Sequence, residues 1–81
     1  MKVRVRLFAS LREAVGQEQL ELELADGARV EDAWSALAER HPELRTRRAI
    51  LMAALNRRYA SFEDALTGGD ELVFIPPVSG G

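Results

Sequence analysis

The sequence predicts an α+β domain of two layers, a mixed sheet of four to five strands with one main helix packed on one face. Three patterns carry the prediction. Two segments in the first third of the chain alternate apolar and charged residues with period two, as half-buried strands do. Residues 30–38 set apolar side chains on one helical stripe. The segment "ELVFI" at 71–75 is a continuous apolar run between turn signals, the pattern of a strand covered on both faces. With 81 residues the chain has room for one small domain.

In chain order, "KVRVRLF" points Val3, Val5 and Leu7 to a core and Lys2, Arg4 and Arg6 to water. Phe8 breaks the rule, because it shares the parity of the charged residues. In "SLREAVG", Ser10 followed by Glu13 has the spacing of a capping box and Gly16 is a stop signal, which predicts one or two turns of helix. "QLELELA" alternates again: Leu20, Leu22 and Leu24 face inward, Glu21 and Glu23 outward. If this strand runs antiparallel to the first, Arg4 and Arg6 lie across from the glutamates. "ADG" is a turn.

The period changes at "RVEDAWSALAERHP", where Val30, Ala33, Trp34, Leu37 and Ala38 form the stripe of the main helix. Glu31 and Asp32 in its first turn and Arg40 in its last suit the helix dipole, and Pro42 ends it. Trp34 sits among these apolar positions as a core residue rather than a ligand platform. His41, at a helix end beside a proline, reads as solvated. "ELRTRR" is a polar, basic connection with room for a helical turn. "AILMAAL" is too short and apolar to assign by period alone. Asn56-Arg57 before "RYAS" predicts a hairpin turn between short strands. Gly68-Gly69 marks a turn in the loop before "ELVFI", and that last strand most easily sits mid-sheet beside the first.

Composition narrows the functional classes. The net charge of -2 gives no basic footprint for nucleic acid. With no Cys and one His, there is no thiolate site, no disulfide and no metal cluster. No run approaches the roughly 20 apolar residues of a membrane span, and the N terminus lacks the core of a signal peptide. The expected location is cytoplasmic. "TGGDE" lacks the spacing and lysine of a P-loop, and the acidic pairs Glu31-Asp32 and Glu63-Asp64 are adjacent, so their side chains point apart. An independent enzyme is not expected.

The unusual feature is the ending, "PPVSGG". Pro76-Pro77 cannot donate ladder hydrogen bonds and favour extended geometry, so the domain is expected to occupy residues 1–75. Residues 76–81 then project as an arm that reaches roughly 20 Å when extended. Gly80 and Gly81 add no stability, since glycine loses the most backbone entropy on ordering. They leave the arm thin and its carboxylate unencumbered. A frayed glycine-rich tail is the competing reading; the preceding Pro-Pro and central strand favour the arm.

These residues resemble the ubiquitin-like β-grasp sulfur carriers of the MoaD/ThiS superfamily. "GDELVFIPPVSGG", "VRLFASLREAVG" and "AALNRRYASFEDALTGGDE" look most like the MoaD family, the small subunits of molybdopterin synthase, and the resemblance covers nearly the whole chain. It implies that an ATP-dependent, E1-like adenylating enzyme (MoeB-like) activates Gly81. A sulfur donor, such as a cysteine desulfurase or rhodanese, then displaces AMP to leave a C-terminal thiocarboxylate. The thiocarboxylate would donate sulfur to a cyclic pterin precursor inside the large subunit (MoaE-like) of a heterotetramer, giving the molybdopterin dithiolene. No permanently bound cofactor is implied, and the catalytic groups would belong to the large subunit. Pro77, Val78, Ser79 and Gly80 would thread the partner's active site. The resemblance also places Phe8, Tyr59 and Ile75 together on the sheet face away from the helix, as a partner interface, in keeping with Phe8's break in parity.

Two other classes fit a Gly-Gly arm: a ubiquitin-like modifier joined through Gly81 to a target lysine, and a sulfur carrier for thiamine or transfer-RNA thiolation. Lys2 is the only lysine, against ten arginines, which suits the chain poorly to building lysine-linked chains on itself.

Overall fold

The computed structural model describes residues 1–77; Val78, Ser79, Gly80 and Gly81 lie outside the described residues. Strand β1 (Lys2–Leu7) keeps the period of its sequence: Val3, Val5 and Leu7 are fully buried, and Lys2 and Arg4 are exposed. It pairs antiparallel with β2 (Gln19–Glu23), where Leu22 is the buried counterpart of Val3. Helix α1 (Ala9–Val15) joins the two and stops at Gly16, whose left-handed backbone (φ 85°) lets its N–H reach the Arg12 carbonyl.

The start of α1 departs from the expected capping box. Phe8, not Ser10, is the N-cap, and its carbonyl accepts from the N–H groups of Leu11 and Arg12. Ser10 lies within the first turn. The chain turns out of β1 at Ala9, which sits at φ 49°, a left-handed conformation that costs an L-residue about 1–2 kcal/mol. Leu11 is fully buried on the inner side of this turn.

Helix α2 (Val30–Arg40) buries the expected stripe of Val30, Ala33, Trp34, Leu37 and Ala38 against the sheet. Its first turn is closed by the Arg29 N–H donating to Asp32 Oδ2 at 2.8 Å. Pro42 then begins not a loose connection but a 3₁₀ segment, Pro42–Ile50, pinned by the fully buried Leu44. His41 ends α2 half-buried, its Nδ1 3.8 Å from the Glu43 carboxylate. Arg48, near the end of the 3₁₀ segment, reaches back to Glu31 with Nη2–Oε1 at 2.6 Å and Nε–Oε2 at 3.1 Å, while its guanidinium lies 3.4 Å from the Phe62 ring centroid.

The apolar stretch before the hairpin contributes β3 (Met52–Leu55), and the hairpin closes to β4 (Arg58–Ala60) through Asn56 and Arg57. Both turn residues have positive φ (50° and 71°), which matches the twist of the flanking strands. Asn56 also fastens the hairpin to the strand that follows: its Oδ1 accepts from the Glu71 N–H at 3.0 Å, and its Nδ2 donates to Asp70 Oδ1 at 2.9 Å. Strand β5 (Glu71–Ile75) lies mid-sheet, parallel to β1 and antiparallel to β3, in the order β2-β1-β5-β3-β4.

β5 is therefore central, as its composition predicts, but it is not covered on both faces. Leu72 and Phe74 are fully buried under α2, whereas Val73 and Ile75 are only half-buried. The reason is architectural. All the helical segments pack on one side, so the sheet has one closed face and one open face. The core centres on Phe74, which meets Trp34 edge-on (5.0 Å between centroids, 73°) and Phe62 in a stacked arrangement (6.0 Å, 22°).

Charges on the open face follow the register. Lys2 lies opposite Glu23, and Arg4 lies opposite Glu21 on one side and Glu71 on the other. Arg6, expected across from a glutamate, is instead opposite Gln19 and Val73, because the pairing sets Glu21 and Glu23 one and two steps further along. At the end of this row, the Met1 α-ammonium donates to the Leu24 carbonyl at 2.6 Å and pairs with Glu23 Oε2 at 2.8 Å. Among the described residues no helix is long and apolar enough to cross a membrane.

Two outcomes test this account. Leu22→Ala should destabilise the domain by about 2–5 kcal/mol in urea unfolding, because it removes a fully enclosed side chain from beneath α2. Glu23 should titrate below the usual carboxylate range. The hydrogen bond from the Met1 α-ammonium is the main cause, followed by that ammonium's charge; desolvation opposes them, and the charge of Lys2 adds the smallest lowering effect. A lowered folded value means that this pair's contribution is present above the ordinary carboxylate range and is lost as pH falls through the lowered value. An NMR titration of the Glu23 carboxyl checks the direction. High salt should move the midpoint back toward the ordinary value.

Candidate functional site

The apolar excess of "ELVFI" ends on the open face of the sheet. Strand alternation forces the choice: with Leu72 and Phe74 in the core, Val73 and Ile75 must point the other way. Phe8 follows β1 on that same side and is 40% exposed. Phe8, Ala9, Ser10, Val73, Ile75, Pro76 and Pro77 line one groove of about 690 Å³. It runs from the β1–α1 turn to the point where β5 gives way to the two prolines.

Each wall has a local cause. Phe8 is held at the rim because Ala9 takes up the left-handed turn and sends the chain into α1, away from the sheet plane. Backbone strain in an ordered core tends to collect where a surface must be shaped for use. The Arg6 guanidinium lies 5.5 Å from the Phe8 ring centroid, a cation–π spacing that braces the ring. Pro76 and Pro77 continue the line of β5 without ladder donors. Beyond them Val78, Ser79, Gly80 and Gly81, the expected threading and reacting residues, lie outside the described residues.

The structure brings Phe8, Ile75 and Pro77 together in the groove and sets Tyr59 apart from it. Tyr59 shares the open face, since it pairs with Ala54, which pairs in turn with Val73. It stands 75% exposed but does not line the groove. Met52, opposite Ile75 and 52% exposed, extends the apolar surface between them. Strand parity in the sequence already assigns Val73 to the face of Ile75, whereas sequence reasoning does not place Ala9, Ser10, Pro76 or Met52 on this surface. Ala9 and Ser10 carry no such signal, because their positions depend on a backbone turn that their types do not advertise.

Among the described residues, the groove lining holds one hydroxyl, on Ser10, and no ionisable side chain. A contiguous apolar patch beside an exposed aromatic and a thioether is the composition of a protein-binding face. Among the described residues no group of three or more acidic or imidazole side chains is arranged to hold a metal ion.

Comparison with known proteins places these features in context. The model of the ThiS family matches residues 5–81. The molybdopterin synthase sulfur carrier subunit of Chlamydomonas reinhardtii is 40% identical over 83 residues, covering 100% of both chains. The crystal structure of SAMP1, small archaeal modifier protein 1, from Haloferax volcanii superposes with a TM-score of 0.90 at 32% identity, again over 100% of each chain. At 24% identity and a TM-score of 0.67, a chain in the complex of subunits 1 and 2 of molybdopterin-converting factor from Helicobacter pylori shares the fold over 100% of both chains.

The two faces of the sheet should respond differently to truncation. Phe8→Ala and Tyr59→Ala are each expected to change unfolding stability by no more than about 1 kcal/mol, since both side chains are exposed. Phe74→Ala, on the closed face, should cost about 3–5 kcal/mol. Urea melts of the three variants decide it.

Proposed function

The chain belongs to the ThiS family, and on that premise we propose that it is a sulfur carrier, the small subunit of a molybdopterin synthase. The observation that carries this reading is the full-length 40% identity to a molybdopterin synthase sulfur carrier subunit. The groove agrees with it, because an apolar docking face ends where Pro76-Pro77 would direct the arm of residues 76–81 into a partner.

The chemistry is assigned to Gly81. A carboxylate is a poor electrophile, so an E1-like enzyme uses ATP to convert it to an acyl-adenylate with release of pyrophosphate. A sulfur donor displaces AMP and leaves the thiocarboxylate, whose sulfur is the nucleophile that attacks the cyclic pterin precursor. Gly80 leaves clearance for the arm in the partner's channel, and Val78 and Ser79 line it. The chain itself supplies the reactive end and the docking face. Acid–base groups come from the large subunit.

An arm of six residues buries too little to hold a partner across a typical interface of about 800 Å² per side, so the handle must contribute. Phe8 and Ile75 in the groove, with Val73, Met52 and Tyr59 around them, supply that area. A second reading, a protein modifier conjugated through Gly81, is favoured by the likeness to small archaeal modifier protein 1.

Intact mass separates the two. Expressed with its activating enzyme and sulfur donor, the chain should gain about 16 Da as sulfur replaces oxygen at Gly81. Deleting Gly81 should abolish both the gain and molybdopterin formation with the large subunit, while thermal melting stays unchanged. Discrete higher-mass adducts to other proteins, without the 16 Da gain, would support the modifier instead.

A further inference from the structure

The open face is balanced in charge at every step of β1 except one. Lys2 faces Glu23, and Arg4 is flanked by Glu21 and Glu71. Arg6 is flanked by Gln19 and Val73, so neither neighbouring strand offers it a carboxylate, and it makes no salt bridge among the described residues. Its Nε is also the one buried side-chain nitrogen or oxygen without a hydrogen-bond partner among the described residues. A buried donor left unpaired is destabilising, and more so on a charged group. The side chain cannot easily leave, because its guanidinium is laid against Phe8 at the groove rim. Among the described residues, a cation is thus held at the edge of an apolar groove with its charge unanswered and one donor unsatisfied.

We propose that Arg6 is a specificity determinant of the docking face and receives an aspartate or glutamate carboxylate from the large subunit seated on the groove. The inference rests on the docking reading above. Guanidinium suits the task because its planar fork can donate two parallel hydrogen bonds to one carboxylate. The contact would also discriminate between partners: a surface of the right shape without an acid at this point would cover the half-buried Arg6 and leave it unpaired. Arg4, with glutamates on both sides, carries no such demand.

Calorimetric titration of the large subunit against wild type, Arg6→Gln, Arg6→Glu and Phe8→Ala tests the inference. Arg6→Gln should weaken binding by at least about 30-fold and Arg6→Glu by more, as loss of one member of a buried charge pair does. The salt dependence of Kd should flatten in Arg6→Gln. The free domain should melt at nearly the same temperature, since the substitution removes an unpaired donor and, of native contacts, only the cation–π contact to the exposed Phe8 ring. Reversing one acidic residue of the large subunit to arginine should rescue Arg6→Glu and so identify the partner carboxylate. If Phe8→Ala weakens binding while Arg6→Gln stays within about twofold of wild type, the role of Arg6 is overturned and the docking face stands. If Phe8→Ala also binds normally, the docking face is wrong and the inference falls with it.

Discussion

Phe74 is the residue around which the rest is arranged. Trp34 meets its ring edge-on from α2, and Phe62 stacks on it from the loop after β4. Arg48 then lies on Phe62 and clasps Glu31, so the 3₁₀ segment, the loop and the main helix are gathered around one aromatic side chain. The Arg48–Glu31 pair is partly exposed and adds no more than about 1 kcal/mol by itself. Its effect is positional, because it keeps Phe62 seated. Once Phe74 is committed to the closed face, the two-residue period of a strand leaves no freedom for its neighbours. Val73 and Ile75 must face outward, and a shift of one residue would exchange the two sets entirely.

The same constraint connects the core to the proposed docking face. An interface built on a loop can drift relative to the fold. Here the apolar surface is the reverse side of the best-packed strand, so its position is as well defined as the core itself. The groove is completed by a backbone device at its other wall. Ala9 accepts a left-handed conformation, and the chain leaves the sheet there, holding Phe8 at the rim. Stability is given up at one residue to fix the shape of a surface, and a domain with ten fully buried large side chains tolerates that loss.

Much of this was legible in the sequence because alternation and helical spacing are direct records of burial. The parity of Val3, Val5 and Leu7, the stripe ending at Ala38, and Asn56-Arg57 as a hairpin turn all report local geometry. Phe8 announced itself by breaking parity. Other features depend on distant partners and left no local trace. The Ser10 capping signal is present in type and spacing, but the Phe8 carbonyl takes the first helical hydrogen bonds and the helix starts earlier. "ELRTRR" has no apolar stripe, so only the single buried Leu44 converts it into an ordered 3₁₀ segment. The register that denies Arg6 a glutamate is fixed by how β1 and β2 align, which neither strand specifies alone. "ELVFI" misled in an informative way. Its second apolar face is real, and within this chain nothing covers it fully.

The placement of β5 between β1 and β3 also bears on how the protein is made. Until residues 71–75 have been synthesised, β1 and β3 have no common neighbour, and the sheet is two separate antiparallel pairs. Helix α2 then has no continuous surface to cover, and Phe74 is missing from the centre of the core. The parallel β1–β5 pairing joins segments about as far apart as the described chain allows, the kind of contact that slows folding. A nascent chain interrupted before this point has neither core nor docking face. A chain that stops short of β5 thus lacks both the centre of its sheet and one wall of the groove, and its unpaired strands would be open to proteolysis.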